Sequence, residues 1–291
     1  MKLTRRRALA AMGSFAMLAA CGPRDAIAVG SKNFTESILI AEIYAQALER
    51  AGLRVVRRLN LGSTQIAMSA MARGDIDLYP EYTGTALIDV LHHAPMRDPQ
   101  AIYATVKAAF AHDYGIIWLQ RSPMNDSQGI ATTQPISKRY DLHTLSQLAV
   151  LAPRLRLATI PEFITRPDGL PGLQKLYGGF HFDSVRTYAI ALKYRALLDG
   201  QADVATAFTT DGTILTDRLV VLIDDKHLWP PYNVAPLVRR ATLAREPRIA
   251  PVLDAIAPAI TSRATQAMNA AIESQDRDPA DVAAAFLRRT G

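Results

Sequence analysis

The chain has 291 residues, 49% of them hydrophobic and 21% charged, and its formal net charge is +6. This length fits two domains of about 150 residues, and the composition excludes a disordered chain. No apolar run reaches the ~18 residues of a membrane-spanning helix, which argues against an integral membrane protein.

The N-terminus has the layout of an export signal. Lys2 and three arginines at 5–7 precede an apolar segment, residues 8–20, as in a secretory signal peptide. The segment ends in Leu18-Ala19-Ala20-Cys21, which resembles a bacterial lipobox. Residues 1–21 are therefore predicted to be a lipoprotein signal peptide with lipidation at Cys21, which would anchor the protein in the periplasm or at the cell surface. A buried core cysteine is the alternative, and the arginine run also admits twin-arginine export.

Most of the positive charge belongs to this signal. Removing residues 1–20 removes four positive charges and no acids, so the net charge falls to 6 − 4 = +2. A nearly balanced surface gives no reason to expect a nucleic-acid partner. Cys21 is the only cysteine, which excludes intrachain disulfides and thiolate metal sites. We expect a monomer without metal or cofactor.

Predicted strands and helices alternate in the mature chain. Residues 26–30 form a first strand, and apolar spacing from Ile40 to Ala51 predicts a helix that ends at Gly52. Asn33 and Glu36 have the spacing of a capping box for this helix, with Thr35 as an alternative cap.

The alternation continues through the first half. Strands are predicted at 53–59 and 115–119, and helices at 65–72, 86–91 and 98–112. Residues 76–79 form a short strand that Pro80 ends, because proline cannot donate to a sheet ladder. Tyr82 then lies in a strand-end loop, where open α/β sheets bind ligands.

Two polar, proline-containing segments, 122–128 and 224–232, are predicted to cross between domains. Between them we predict strands at 129–132, 155–160, 203–208, 219–223 and near Phe180, and helices at 144–151, after Gly172 and at 188–198. This alternation predicts an α/β fold with parallel sheets. The crossings divide it into a first domain, 26–124 with 226–291, and a second domain, 125–225.

An internal repeat supports two similar halves. The stretches 74–85 and 200–213 align with an offset of 203 − 77 = 126, which pairs Asp77 with Asp203, Tyr82 with Phe208, and Thr83 with Thr209. Each half then offers one aromatic residue at a strand end, which predicts a ligand held between the halves. Chance similarity of strand-turn-helix units is the alternative.

Five motifs, in order, resemble those of the osmoprotectant-binding proteins of ABC importers, which bind glycine betaine, choline and related quaternary amines. They are Val29-Gly30-Ser31-Lys32-Asn33-Phe34-Thr35-Glu36, Tyr79-Pro80-Glu81-Tyr82-Thr83-Gly84-Thr85, Pro161-Glu162-Phe163 with Arg166 and Asp168-Gly169-Leu170, Thr210-Asp211-Gly212, and Asp224-Asp225-Lys226-His227 with Pro230-Pro231-Tyr232. The resemblance implies the two-lobed fold of type II periplasmic binding proteins, with two hinge crossings, and delivery of solute to a permease and its ATPase.

The resemblance also implies roles for individual residues. Tyr82, Phe208 and Tyr232 are expected to form walls of an aromatic cage, since a quaternary ammonium has no N–H to donate and is attracted by aromatic faces. Lys32, Arg166 and Thr85 are expected to hold the carboxylate of a betaine. Core packing is the alternative for the aromatic residues, and solvated surface charge for Lys32 and Arg166.

The chain departs from the family pattern in two places. In Asn125-Asp126-Ser127-Gln128 an amide replaces one aromatic wall, and Phe208 stands where tyrosine is usual. Gln128 is expected to hydrogen-bond a polar ligand, and Asp126 to offer negative charge to a cation. These changes leave open a different small cationic or amino-acid-like solute.

No catalytic motif competes with a binding role. The sequence contains no Gly-x-Ser-x-Gly, His-Glu-x-x-His, Walker or Gly-x-Gly-x-x-Gly pattern, so we do not predict an enzyme. A lipid-anchored enzyme on the same scaffold and a sensor subunit that signals occupancy are the remaining alternatives.

Overall fold

The computed structural model describes residues 26–190 and 192–290, so the predicted signal peptide and Cys21 lie outside the described residues. The described residues form two five-stranded sheets with helices packed around them. The predicted α/β fold is therefore confirmed, but the predicted parallel sheets are not, because both sheets contain antiparallel pairs. Within these ranges no helix is long and apolar enough to cross a membrane.

The first sheet and its helices form what we call lobe 1. Its strands are β1 (Ile27–Gly30), β2 (Val55–Arg58), β3 (Leu78–Tyr82), β4 (Ile116–Trp118) and β10 (Val234–Arg239), in the order β2-β1-β3-β10-β4. Its helices are α1 (Thr35–Arg50), α2 (Thr64–Arg73), α3 (Thr83–Thr85), a π-helical turn (Ala86–Val90), α4 (Pro99–Asp113), α11 (Arg240–Arg245), α12 (Ile249–Ile256), a 3₁₀ turn (Ala257–Ala259), α13 (Ser262–Glu273) and α14 (Pro279–Thr290). The C-terminal helices α12, α13 and α14 pack against α1.

The second sheet and its helices form lobe 2. Its strands are β5 (Gln128–Thr132), β6 (Arg156–Thr159), β7 (Ser184–Thr187), β8 (Val204–Phe208) and β9 (Val220–Val221), in the order β7-β6-β8-β5-β9. Its helices are α5 (Gln134–Tyr140), α6 (Leu145–Leu151), a 3₁₀ turn (Ala152–Arg154), α7 (Pro161–Thr165), α8 (Leu170–Tyr177), α9 (Lys193–Leu198) and α10 (Gly212–Thr216). In both sheets the central strand, β3 or β8, has one parallel and one antiparallel neighbour.

Each lobe buries apolar clusters against its own sheet. Leu78 and Tyr79 are neighbours in β3 but belong to different clusters of lobe 1, because successive strand residues point to opposite faces. Local signals in the sequence fix several helix ends. Asp98 caps α4 by accepting the Gln100 N–H at 2.9 Å, and Gly74 ends α2 in the left-handed conformation.

The chain passes between the sheets twice, and the two passages run side by side. Asn125 and Asn233 form an antiparallel bridge, and the Asp126 N–H donates to the Tyr232 carbonyl at 3.2 Å. A pair of adjacent crossing segments is the arrangement expected of a hinge. The residue boundaries of the two domains stay a prediction.

Three local predictions were wrong. Pro80 does not end its strand, because it lies opposite Pro236 inside the ladder, at a pair position that uses no N–H from either residue. The strand expected near Phe180 is β7, which begins only at Ser184, and Phe180 itself lies in the irregular segment before it with φ 56°. The helix expected from Tyr188 begins at Lys193, since the Tyr188 N–H continues the ladder by donating to the Thr159 carbonyl at 2.8 Å.

The predicted capping box at the start of α1 was also wrong. The residue before the helix is Phe34, and no side chain caps it. Glu36 instead turns away from the helix end, where its carboxylate accepts a hydrogen bond from the Tyr82 hydroxyl at 2.7 Å. The carboxylate that a capping box would use is thus engaged in a contact with a residue distant in the sequence.

Candidate functional site

A cavity of about 620 Å³ lies between the two lobes. Its wall comes from the ends of β3 and β8, the crossing segments, and the loops that follow β1, β6 and β7. All eight residues that we predicted from the sequence line it, namely Lys32, Tyr82, Thr85, Asp126, Gln128, Arg166, Phe208 and Tyr232. The structure thus brings the predicted residues together in one place, although their part in binding a ligand stays a prediction.

The three predicted aromatic walls are held in different ways. Tyr82 is the last residue of β3 and is 3% exposed, with its hydroxyl fixed by Glu36. The Tyr232 hydroxyl donates to Asp168, and its ring packs on Gly84, where an added Cβ would lie 2.6 Å from the ring. Phe208 ends β8 and is only partly buried.

Lys32 already has partners inside the protein. Its ammonium lies 2.7 Å from Glu81 and 3.3 Å from the Thr64 hydroxyl. It also lies over the rings of Tyr82 and Phe34, at 4.6 and 5.5 Å from their centroids. The charge of Lys32 is therefore neutralised by a fully buried carboxylate, and the lysine itself makes a cation–π contact with a predicted cage wall.

Arg166 joins the two lobes. It forms a bidentate pair with Asp168 at 2.8 and 2.7 Å, and it reaches Asp89 of lobe 1 at 3.2 Å. A guanidinium has five N–H hydrogens, and these three hydrogen bonds use three of them, so 5 − 3 = 2 remain. Arg166 therefore remains capable of the predicted clamp, and Thr85 lines the same cavity.

Gln128 takes part in a polar network rather than facing the cavity with its whole amide. Its amide nitrogen lies 2.6 Å from Asp168 and 3.2 Å from the Tyr232 hydroxyl, so both N–H groups have acceptors in the protein. The carbonyl oxygen of Gln128 is the atom left for a polar ligand. Asp168, fully buried, thus collects hydrogen bonds from Arg166, Tyr232 and Gln128.

Asp126 is a buried carboxyl group on the cavity wall. Burial raises its pKa well above 3.8, and the nearby charges of Glu36 and Asp211 raise it further. Burial also raises the pKa of Glu36, against the hydrogen bonds from Thr210, Tyr82 and Asn269. Ionising both of these neighbouring acids carries a large energetic penalty, because burial and like charges disfavour the charged form.

The structure adds residues that were not predicted from the sequence to belong to the site. Phe34, Asp89 and Tyr188 line the cavity, and Glu36 fixes Tyr82 from behind. Phe34 and Glu36 belong to a recognised motif, which was the one signal that could have revealed them. Asp89 and Tyr188 carry no such signal, because each is surrounded by ordinary helix-compatible residues.

The chain is similar to known binding proteins over nearly its whole length. Residues 25–289 match the family described as the substrate binding domain of ABC-type glycine betaine transport systems. A glycine-betaine-binding protein of Pseudomonas aeruginosa is 35% identical, over 99% of this chain and 94% of the relative. The glycine betaine-binding protein YehZ of Escherichia coli is 32% identical, over 96% of each chain.

A solved structure extends the similarity to three dimensions. The crystal structure of a glycine betaine/carnitine/choline ABC transporter protein aligns with a TM-score of 0.76 at 28% identity, covering 90% of this chain and 98% of the other. Its fold is the two-lobed one of periplasmic substrate-binding proteins, which confirms the fold class that the motifs implied.

Proposed function

Because the chain belongs to the family of substrate-binding domains of ABC-type glycine betaine transport systems, we propose that it captures a quaternary-ammonium solute in the cavity between its lobes. The solute is glycine betaine, choline or a similar amine. The family consists of solute-binding transport proteins rather than enzymes. In this proposal the protein is an extracytoplasmic lipoprotein, anchored through Cys21, that delivers solute to an ABC permease and its ATPase.

One observation carries the proposal, namely that aromatic rings from both lobes face the same cavity. Tyr82 comes from lobe 1, Phe208 from lobe 2 and Tyr232 from a crossing segment. Each cation–π contact is worth about 0.5–2 kcal/mol, so three of them supply up to about 6 kcal/mol of the roughly 8 kcal/mol that micromolar binding requires. Neutralisation of Lys32 by Glu81 removes a charge that would repel such a cation.

The acidic residues of the cavity also favour a positively charged ligand. Asp89, Asp126 and Glu162 line it, and the two cationic residues, Lys32 and Arg166, are both paired with carboxylates. A ligand with a carboxylate in addition to its ammonium would meet the remaining N–H groups of Arg166. This supports betaines as well as choline.

The position of the cavity supports a closing motion as the signal for transport. A ligand that touches both lobes binds the closed form better and shifts the population toward it. We propose that residues 26–124 with 226–291 move against residues 125–225 about the paired crossings. The permease would then recognise the closed form.

A titration tests this proposal. The mature chain is titrated calorimetrically with glycine betaine, choline, carnitine, proline betaine and ectoine, and with an uncharged sugar as control. We expect one site with about micromolar affinity for at least one quaternary amine and no binding of the sugar. Binding of none of the amines would overturn the proposal.

Fluorescence gives an independent reading of the same titration. Trp229 donates its indole N–H to the Asp168 carbonyl at 2.8 Å, beside the cavity, whereas Trp118 is fully buried in the lobe 1 core. A Trp118→Phe variant therefore leaves one reporter near the site. Because Gln128 replaces an aromatic wall, amino acids belong in the same panel, and preferential binding of one would favour the second candidate, an amino-acid-like solute.

A further inference from the structure

Two carboxyl groups from different parts of the fold meet at one hydroxyl, that of Thr210. The Thr210 hydroxyl oxygen lies 2.5 Å from a Glu36 carboxyl oxygen and 2.6 Å from an Asp126 carboxyl oxygen. All three side chains are buried, with exposures of 3% for Glu36, 7% for Asp126 and 1% for Thr210. Glu36 belongs to lobe 1, Thr210 to lobe 2 and Asp126 to a crossing segment.

Counting protons shows that the two acids cannot both be ionised in this arrangement. A threonine hydroxyl has one hydrogen to donate, and an ionised carboxylate can only accept. Thr210 can therefore satisfy one of the two short contacts as a donor, and the other contact needs a proton on the carboxyl group. The cluster holds one acidic proton in addition to that of the hydroxyl.

The hydrogen-bond partners indicate which acid carries this proton. Glu36 also accepts from the Tyr82 hydroxyl at 2.7 Å and from the Asn269 amide at 3.0 Å, which favours its ionised form. From the described residues, Asp126 receives in addition only the Thr210 backbone N–H, at 3.3 Å. The chain of donors thus runs from Asp126 through Thr210 to Glu36.

We propose that Glu36 and Asp126 share one proton through Thr210 when the cavity is empty, and that a cation entering the cavity expels it. Asp126 is the member of the pair that lines the cavity, next to Tyr82. A positive charge there favours the ionised form of Asp126, so solute and proton compete for one carboxylate. The expulsion step rests on the proposed function, because it requires a cationic ligand; the shared proton does not.

The other charged groups around the pair do not replace this role. Asp211, whose charge acts on both acids, is paired with Lys193 at 3.0 Å and accepts from Tyr194 at 2.6 Å. Lys32, 4.6 Å from the centroid of the Tyr82 ring, is paired with Glu81. Glu273 accepts from Thr213, and burial, with the charge of Asp211, raises its pKa to about 7.

Proton competition gives a signed pH dependence of affinity. A ligand that lowers the pKa of Asp126 binds the deprotonated protein better, so affinity rises with pH by up to about tenfold per unit. Above the pKa of the empty site the affinity is constant and no proton is released. Since Glu273 also titrates near neutral pH, it serves as the control.

The test is calorimetric titration of the mature protein with glycine betaine or choline in two buffers of different ionisation enthalpy, between about pH 5 and about pH 9. The difference between the two heats counts the protons released. Wild type is expected to approach one proton per ligand at its maximum, Asp126→Asn none, and Glu273→Gln the same as wild type. Ligand binding without proton release at every pH, or unchanged release in Asp126→Asn, would overturn the proposal.

Infrared spectroscopy of the ligand-free protein separates this proposal from the proposed function. In the Glu273→Gln background we expect the carbonyl band of a protonated carboxylic acid at neutral pH, and its loss on adding Asp126→Asn. If no amine binds but the band is present, the proposed function fails and the shared proton stands. If amines bind but the band is absent, the shared proton fails and the proposed function stands.

Discussion

The two lobes solve the same structural problem with the same residue and then diverge. Asp77 of lobe 1 accepts the Ala28 backbone N–H of β1 at 2.9 Å, and Asp203 of lobe 2 accepts the Arg156 backbone N–H of β6 at 2.9 Å. Each aspartate precedes the central strand of its sheet and ties it to the adjacent parallel strand. This equivalence explains the internal repeat as shared topology.

The surroundings of the two aspartates differ. Asp77 is fully buried, accepts from the Thr242 hydroxyl of the C-terminal segment at 2.6 Å, and lies 3.5 Å from the Arg245 guanidinium. Asp203 is paired with the guanidinium of Arg156, which is partly exposed. The aromatic residues at the two strand ends also differ in how firmly they are held, since the Tyr82 hydroxyl is hydrogen-bonded and Phe208 has no hydroxyl. Repeated topology therefore sets where a residue lies, and its neighbours set what it can do.

We expect the largest effect when the two aspartates are compared by how much each contributes to the free energy of unfolding. Asp77→Asn removes a buried charge-assisted acceptor and should lower the free energy of unfolding by about 3 kcal/mol, whereas Asp203→Asn should lower it by about 1 kcal/mol. Urea unfolding of both variants measures the difference. Equal losses would mean that the burial of Asp77 has no energetic consequence.

The next comparison concerns the two cations that follow equivalent strands, Lys32 after β1 and Arg166 after β6. Because two N–H hydrogens of Arg166 remain for a ligand, Arg166→Gln should weaken the binding of glycine betaine by about 2 kcal/mol, or about 30-fold in affinity. Lys32→Gln should weaken it less, since Glu81 holds that ammonium. Choline, which has no carboxylate, is the matched control ligand, and an equal loss for both ligands in Arg166→Gln would contradict the clamp.

Removing an aromatic wall of the cavity should weaken binding by less than removing Arg166. Tyr82→Ala removes a ring that is fixed and buried and should weaken every quaternary amine about tenfold, and Phe208→Ala should weaken them about threefold. Tyr82→Phe keeps the ring and controls for the hydroxyl. Titration of the three variants with one amine ranks them, and a larger loss in Phe208→Ala would reverse the comparison.

The smallest effects concern the pH dependence of stability. The hydrogen bond from Arg156 lowers the pKa of Asp203, so its stabilising contribution is present above its unfolded pKa and is lost as pH falls. Burial raises the pKa of Asp126 and of Glu273, so the folded state binds more protons and stability falls as pH rises through those values. Melting temperatures measured as a function of pH should test this. Asp203→Asn should reduce the loss of stability at acidic pH, and Asp126→Asn or Glu273→Gln should reduce the loss of stability as pH rises.

Much of this architecture could be predicted from the sequence because its signals are local. Asp98, Pro99 and Gly74 mark helix ends, and alternating strands and helices predicted the α/β fold. The eight predicted site residues share one cavity because the motifs that contain them lie at strand ends and crossings. Strand-end loops of open sheets converge on one edge.

The errors arose where a distant residue decides the outcome. Glu36 has the spacing of a cap, but Tyr82 and Thr210 take its carboxylate. Tyr188 suits a helix, yet Thr159 holds its N–H in the sheet. The ligand-binding roles predicted for Arg166 and Lys32 stay predictions, but their pairing with Asp168 and Glu81 had no signal in the sequence.

The central claim is that rings from both lobes hold a positive charge. Its most direct test compares the quaternary amine that binds best with an isostere in which carbon replaces the charged nitrogen, by calorimetric titration of the mature protein. The two ligands have the same shape, so only the charge differs. We expect the amine to bind at least about a hundredfold more tightly, whereas equal affinity for the two ligands would show that the charge is not recognised.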